Sequence, residues 1–73
     1  MTYNFIKDEY KIDFDIPQGV KQIIELVEKL DQLNDTEYLS YASTLKATIQ
    51  YFVDKGEISK EHQDILNKRY PAI

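Results

Sequence analysis

Tyr51-Phe52-Val53-Asp54-Lys55-Gly56-Glu57-Ile58-Ser59-Lys60-Glu61 closes one helix and opens the next within a few residues. Lys55 sets a cation over the terminal carbonyls, and Gly56 enters left-handed backbone geometry without steric cost. Ser59 brings a hydroxyl that can accept a free first-turn N–H, and Glu61 puts an acid near the positive end of the dipole. A connection this short folds the two helices back as antiparallel neighbours.

Upstream of that turn the spacing predicts a helix over about 36–55. Tyr38, Tyr41, Ala42, Leu45, Ile49, Phe52 and Val53 fall on one side of it. The other side carries Ser40, Ser43, Thr44, Ala47, Thr48 and Gln50, and Lys46 is the single charge between Glu37 and Asp54. A solvated helix face normally mixes charges of both signs. This face is therefore expected to be covered, by the chain's own N-terminal segment, by a second copy or by a foreign protein. Ser43 and Ala47, small residues one turn apart, would let another helix come close. The expected interaction face is Ser40, Ser43, Thr44, Ala47, Gln50 and Tyr51.

Asn34-Asp35-Thr36 is a break rich in capping types. Before it, Val20, Ile23, Ile24, Val27, Leu30 and Leu33 recur at three- and four-residue steps, which predicts an amphipathic helix over 18–33. Leu26 sits at the margin of that stripe. Pro17 suits the first turn, where its missing N–H costs nothing. After the central turn a third helix is expected over 59–69, presenting Ile65 and Leu66 flanked by His62 and Tyr70. Pro71 stops it and leaves Ala72 and Ile73 as a tail.

The first segment alternates. Tyr10, Ile12, Phe14 and Ile16 point one way, and Lys11, Asp13 and Asp15 the other, with Tyr3 and Phe5 alternating about Asn4. That period of two predicts a β-hairpin over 2–6 and 10–16, turned by Lys7-Asp8-Glu9. The expected fold is thus mainly α (α+β): a three-helix antiparallel bundle preceded by an N-terminal β-hairpin or extended strand arm. Residues 1–73 form a single small domain, with 1–17 as the arm.

At 73 residues such a domain buries roughly 60% of the surface its unfolded chain exposes, and its core rarely supplies more than about 3–5 kcal/mol. The absence of cysteine excludes disulfides, and one histidine builds no zinc cage. Packing, self-association or a partner must make up the rest, and a homodimer is the natural expectation. Cysteine absence, no apolar run near membrane length and a polar N-terminus point to a cytoplasmic protein with no membrane partner.

The net charge is −4. No cluster of cations exists to neutralise phosphates, which argues against nucleic acid. His62 has no nucleophile or orienting acid beside it and reads as a boundary side chain. Asp13-Phe14-Asp15 lacks the central glycine and terminal glutamate of a calcium loop, and Ile16-Pro17 interrupts it. Glu25 with Lys29 and Asp64 with Lys68 are i,i+4 pairs on solvated faces. Tyr38, Tyr41 and Tyr51 read as core edge, rings buried and hydroxyls wet. Gly19 alone makes no phosphate loop. No catalytic, cofactor-binding or metal-ligating set emerges, so no enzyme and no cofactor are expected.

The leading expectation is a non-enzymatic protein–protein interaction or regulatory accessory module that self-associates. The alternative is an acidic inhibitor that mimics nucleic acid toward a basic protein, with Asp8, Glu9, Asp13, Asp15, Glu25, Glu28 and Asp31 as its surface. Small acidic chains of this kind are typical of phage and mobile-element accessory genes, an association rather than a deduction. Strand, helix and helix in the order 10–16, 18–33 and 36–55 resembles the ribbon-helix-helix family, in which paired strands of a dimer read the major groove. That resemblance implies a DNA-binding regulator, but Asp13 and Asp15 would face phosphates.

Overall fold

Each helix ends where a named residue makes it end. The computed structural model describes residues 3–72 and contains α1 (Gln18–Gln32), α2 (Glu37–Asp54) and α3 (Lys60–Arg69). Residue 2 of the expected hairpin and Ile73 of the expected tail lie outside the described residues.

At the close of α2, Gly56 sits at φ 80°. Its N–H reaches the Val53 carbonyl at 3.0 Å, and the Glu57 N–H reaches Phe52 at 2.9 Å. These two bonds satisfy carbonyls that the last turn leaves free. The same pair closes α1, where Asn34 at φ 52° takes the left-handed position. There Asn34 N–H bonds Asp31 O and Asp35 N–H bonds Leu30 O, both at 3.0 Å.

The starts are capped as well. Ser59 Oγ accepts the His62 N–H at 3.1 Å, as its position in the sequence suggested. Asp35 Oδ1 accepts the Glu37 N–H at 2.9 Å, so the acid of the Asn34-Asp35-Thr36 break caps α2. Pro17 precedes α1 in extended geometry and caps it with its carbonyl alone, taking the Val20 and Lys21 N–H groups.

The helices run antiparallel in sequence. A Cβ on Gly19, at the start of α1, would meet the Phe52 ring near the end of α2 at 3.4 Å. Gln63 in α3 donates to Gln50 in α2 at 2.7 Å. Helix α2 lies close to both neighbours, whereas no Cα of α1 comes within 8 Å of one in α3, and the two meet only through side chains of the shared core.

The N-terminal arm links them. No strand occurs among the described residues, which corrects the expected β-hairpin and removes the ribbon on which the likeness to ribbon-helix-helix proteins stood. The alternation is nevertheless real: Tyr10, Ile12, Phe14 and Ile16 are half-buried, and Lys11, Asp13 and Asp15 are exposed. Period-2 patterning reports which side faces the core, and a ladder additionally needs a second backbone. Here helices supply the partners. Asp31 takes the amides of Asn4, Phe5 and Ile6, and the Arg69 carbonyl takes Lys7 N–H at 2.9 Å. Phe5 stacks on Tyr38, with centroids 4.7 Å apart. Phe14 stacks on His62 at 3.7 Å, with ring planes 5° apart.

The core joins Val20, Ile24, Val27 and Leu30 of α1 to Tyr38, Ala42, Leu45 and Ile49 of α2 and Leu66 of α3. Tyr70, Ile6 of the arm and Ile58 of the α2–α3 turn complete it. Burying each such side chain contributes about 1.5–3 kcal/mol. Four expected core or core-edge residues are corrected. Leu33 is 65% exposed because the chain leaves the helix at Gln32, Tyr41 and Tyr51 are 39% and 55% exposed on α2, and Tyr38 is buried together with the hydroxyl expected to be wet.

Candidate interaction face

Ser40, Ser43, Thr44, Ala47, Gln50 and Tyr51 are all exposed and share one side of α2. The arm does not cover them; it runs past the Asp31 end of α1 and along α3. One of the three expected covers is thereby removed, and within a single chain the face meets solvent. Its character is less polar than its composition. Ser43 Oγ donates to the Leu39 carbonyl at 3.2 Å, Thr44 Oγ1 to Ser40 at 3.4 Å and Thr48 Oγ1 to Thr44 at 2.9 Å. Each hydroxyl proton is spent on the carbonyl one turn back, so the surface offers methyl groups and satisfied oxygens. Drying Ser43, Thr44 and Thr48 orphans no hydroxyl donor, and unpartnered donors are what make burial of polar groups costly. The hydroxyls of Ser40, Tyr41 and Tyr51 donate to no acceptor among the described residues and would need one on a partner.

The edges are also tied down. The Gln50 amide donates to Asp54 at 2.9 Å while its oxygen accepts from Gln63. Lys55 Nζ donates to Tyr51 Oη at 3.3 Å and lies 5.1 Å from the same ring's centre. Tyr51 is 55% exposed and meets Phe52 edge-on. Interface cores are enriched in aromatic rings and depleted in charge, and also in Ser and Ala, so the exposed rings of Tyr41 and Tyr51 and the lack of charge, rather than the small residues, give this face its likeness to one.

The alternative acidic surface does not hold together as one set. Asp8, Glu9, Asp13, Asp15 and Glu25 are exposed, but Glu28 is half-buried and accepts the Tyr70 hydroxyl at 3.1 Å. Asp31 is fully buried, a correction to its place in that surface. Its spacing carried the signal: Asp31 follows Val27 by four residues and Ile24 by seven, which places it on the apolar stripe of α1. Of the expected i,i+4 pairs, Asp64 and Lys68 meet at 3.0 Å, the one ion pair among the described residues. Glu25 and Lys29 do not.

The remaining candidates are structural. Tyr38 is fully buried, and its hydroxyl has no protein partner. Burial holds this phenol well above the ordinary tyrosine range, and the nearby Asp31 carboxylate adds to the shift. Tyr70 is pushed up to about 12, first by burial and then by the Glu28 carboxylate, against the lowering effect of Arg69. Arg69 donates to Tyr70 Oη at 3.1 Å and to the Tyr10 carbonyl at 2.9 Å, which fastens the arm to α3. His62, half-buried under Phe14, is a boundary side chain. An open polar hollow of about 390 Å³ is lined by residues 3–9 alone, so side chains from different elements do not converge there. Among the described residues no helix is long and apolar enough to cross a membrane.

Compared with family models, with curated proteins and with solved structures, the chain matches none.

Proposed function

We propose that this protein is a non-enzymatic interaction module that acts by docking the exposed face of α2 on another protein surface. One observation carries the reading: the hydroxyls of Ser43, Thr44 and Thr48 are already bonded to their own helix. A partner can therefore dry the Ser43–Thr48 part of the face at little cost, and Tyr41 and Tyr51 supply ring area at its two ends, their hydroxyls calling for acceptors on the partner. The alternative, an acidic decoy, keeps support from the exposed carboxylates of the arm. Its surface is smaller than the sequence suggested, since Asp31 is inside and Glu28 is engaged.

The test is NMR of isotope-labelled protein in lysate of the source cells. Docking through α2 broadens the signals of Ser43, Thr44 and Ala47, and Ala47→Arg abolishes that broadening. Broadening confined to Asp8, Asp13 and Asp15 and relieved by salt would favour the decoy instead.

A further inference from the structure

We infer that the occupant of the α2 face is a second copy of this chain, packed so that the two α2 helices run antiparallel. The inference rests on the reading of that face as a docking surface, of which it uses the Ser40, Thr44 and Tyr51 side with Ala47 at the rim, and adds the partner and its register.

The face is complementary in charge to a reversed copy of itself. Glu37 opens α2 and Lys55 follows its last residue. The distance along the chain between them is five turns at 3.6 residues per turn, so both lie on one line of the helix surface. They carry opposite signs at opposite ends, and the stretch between them on that side is uncharged. Lys46 is two and a half turns from either, which puts it on the opposite side of the helix and outside the seam. An antiparallel copy sets Glu37 against the partner's Lys55 and Lys55 against the partner's Glu37. A parallel copy would oppose like charges at both ends.

The side chains between obey the same two-fold relation. About a midpoint at Lys46, Tyr41 exchanges with Tyr51 and Thr44 with Thr48. Both tyrosines are exposed, and both threonine hydroxyls are internally bonded. An isologous interface pairs each residue i with j and j with i, and on this helix those pairs join ring to ring and methyl to methyl, with opposite charges at the ends. The 18-residue helix gives a strip about 27 Å long and roughly 10 Å wide. Interfaces this small belong to weak, reversible complexes, so the dimer forms in the micromolar range or above.

The test uses Glu37→Lys and Lys55→Glu in the full chain, with circular dichroism to show that each variant folds. Each variant alone meets its own copy with two like-charge contacts, and its self-association weakens about tenfold relative to wild type. An equimolar mixture of the two restores wild-type affinity, because both contacts in the mixed dimer are then of opposite sign. A mixture no tighter than either variant alone overturns the antiparallel register. If wild type stays monomeric while the Ala47-dependent broadening in lysate persists, the second copy is overturned and the docking reading stands. Loss of both removes both.

Discussion

The backbone N–H of Asn4 donates to both carboxylate oxygens of Asp31, at 3.1 Å each, across 27 residues of chain. The amide side chain of Asn4 closes the loop by donating to the Asp31 carbonyl at 2.5 Å. With the amides of Phe5 and Ile6 on the same carboxylate, a buried charge is satisfied by the arm and the arm is held by a buried charge. Hydrogen bonds to a charged acceptor are worth about 1.5–3 kcal/mol. Asp31→Ala is expected to cost about 2–3 kcal/mol in urea unfolding, most of what a core of this size supplies. In hydrogen exchange the amides of Asn4, Phe5 and Ile6 should lose protection first, ahead of the α1–α2 core. A variant with unchanged arm protection would show that the arm is held by its side chains alone.

Tyr38 should behave in the opposite sense. Its hydroxyl is buried without a protein partner, and an unsatisfied buried group costs about 1–3 kcal/mol. Tyr38→Phe keeps the ring stacked on Phe5 and removes only that oxygen, so it is expected to raise stability at neutral pH by roughly 1 kcal/mol. A clear loss of stability would mean that the oxygen makes a stabilising bond.

The two buried phenols also set an alkaline limit. Tyr70 ionises near 12 in the fold and near 10 in the unfolded chain, so between those values the unfolded state has released a proton that the folded state retains. The unfolded state then binds fewer protons, and stability falls as pH rises, by up to about 1.4 kcal/mol per pH unit per group. The contribution is intact below pH 10 and lost through 12. Tyr70→Phe should flatten the slope of unfolding free energy over that window, and Tyr38→Phe should do likewise. Equal slopes in all three proteins would contradict the assignment.

Gly56 and Asn34 hold matching left-handed positions with different residues. Nothing lies within 4 Å of a Cβ at Gly56, so Gly56→Ala tests backbone geometry alone. It is expected to cost about 1–2 kcal/mol. Asn34→Gly relieves the same strain and should be neutral or stabilising by a few tenths of a kcal/mol. Thermal unfolding of the two variants should therefore move in opposite directions or leave Asn34→Gly unmoved.

The helices were legible because their signals are local. Gly56, Ser59, Asn34 and the apolar spacing of α1 each act within a turn or two, and each helix boundary was read to within one residue. The arm was misread because its partner is distant. Alternation along Tyr10 to Ile16 distinguishes inside from outside but not a second strand from a helix surface, and the groups that hold this stretch, Arg69 on the Tyr10 carbonyl and His62 against Phe14, lie far along the chain in α3. Asp31 itself was assigned to the surface by its charge, although its register with Ile24 and Val27 placed it inside. The α2 face was visible as a lack of charge. Its back-bonded hydroxyls were not, since they depend on rotamers.

Sedimentation velocity of the wild-type chain beside Ala47→Arg, from micromolar to millimolar concentration, tests the α2 face most directly. Ala47 is exposed in the single chain, so arginine there leaves the fold intact. The account expects wild type to move reversibly from monomer to dimer while Ala47→Arg stays monomeric throughout. Identical, concentration-independent monomers of both proteins would contradict a second copy as the occupant of that face.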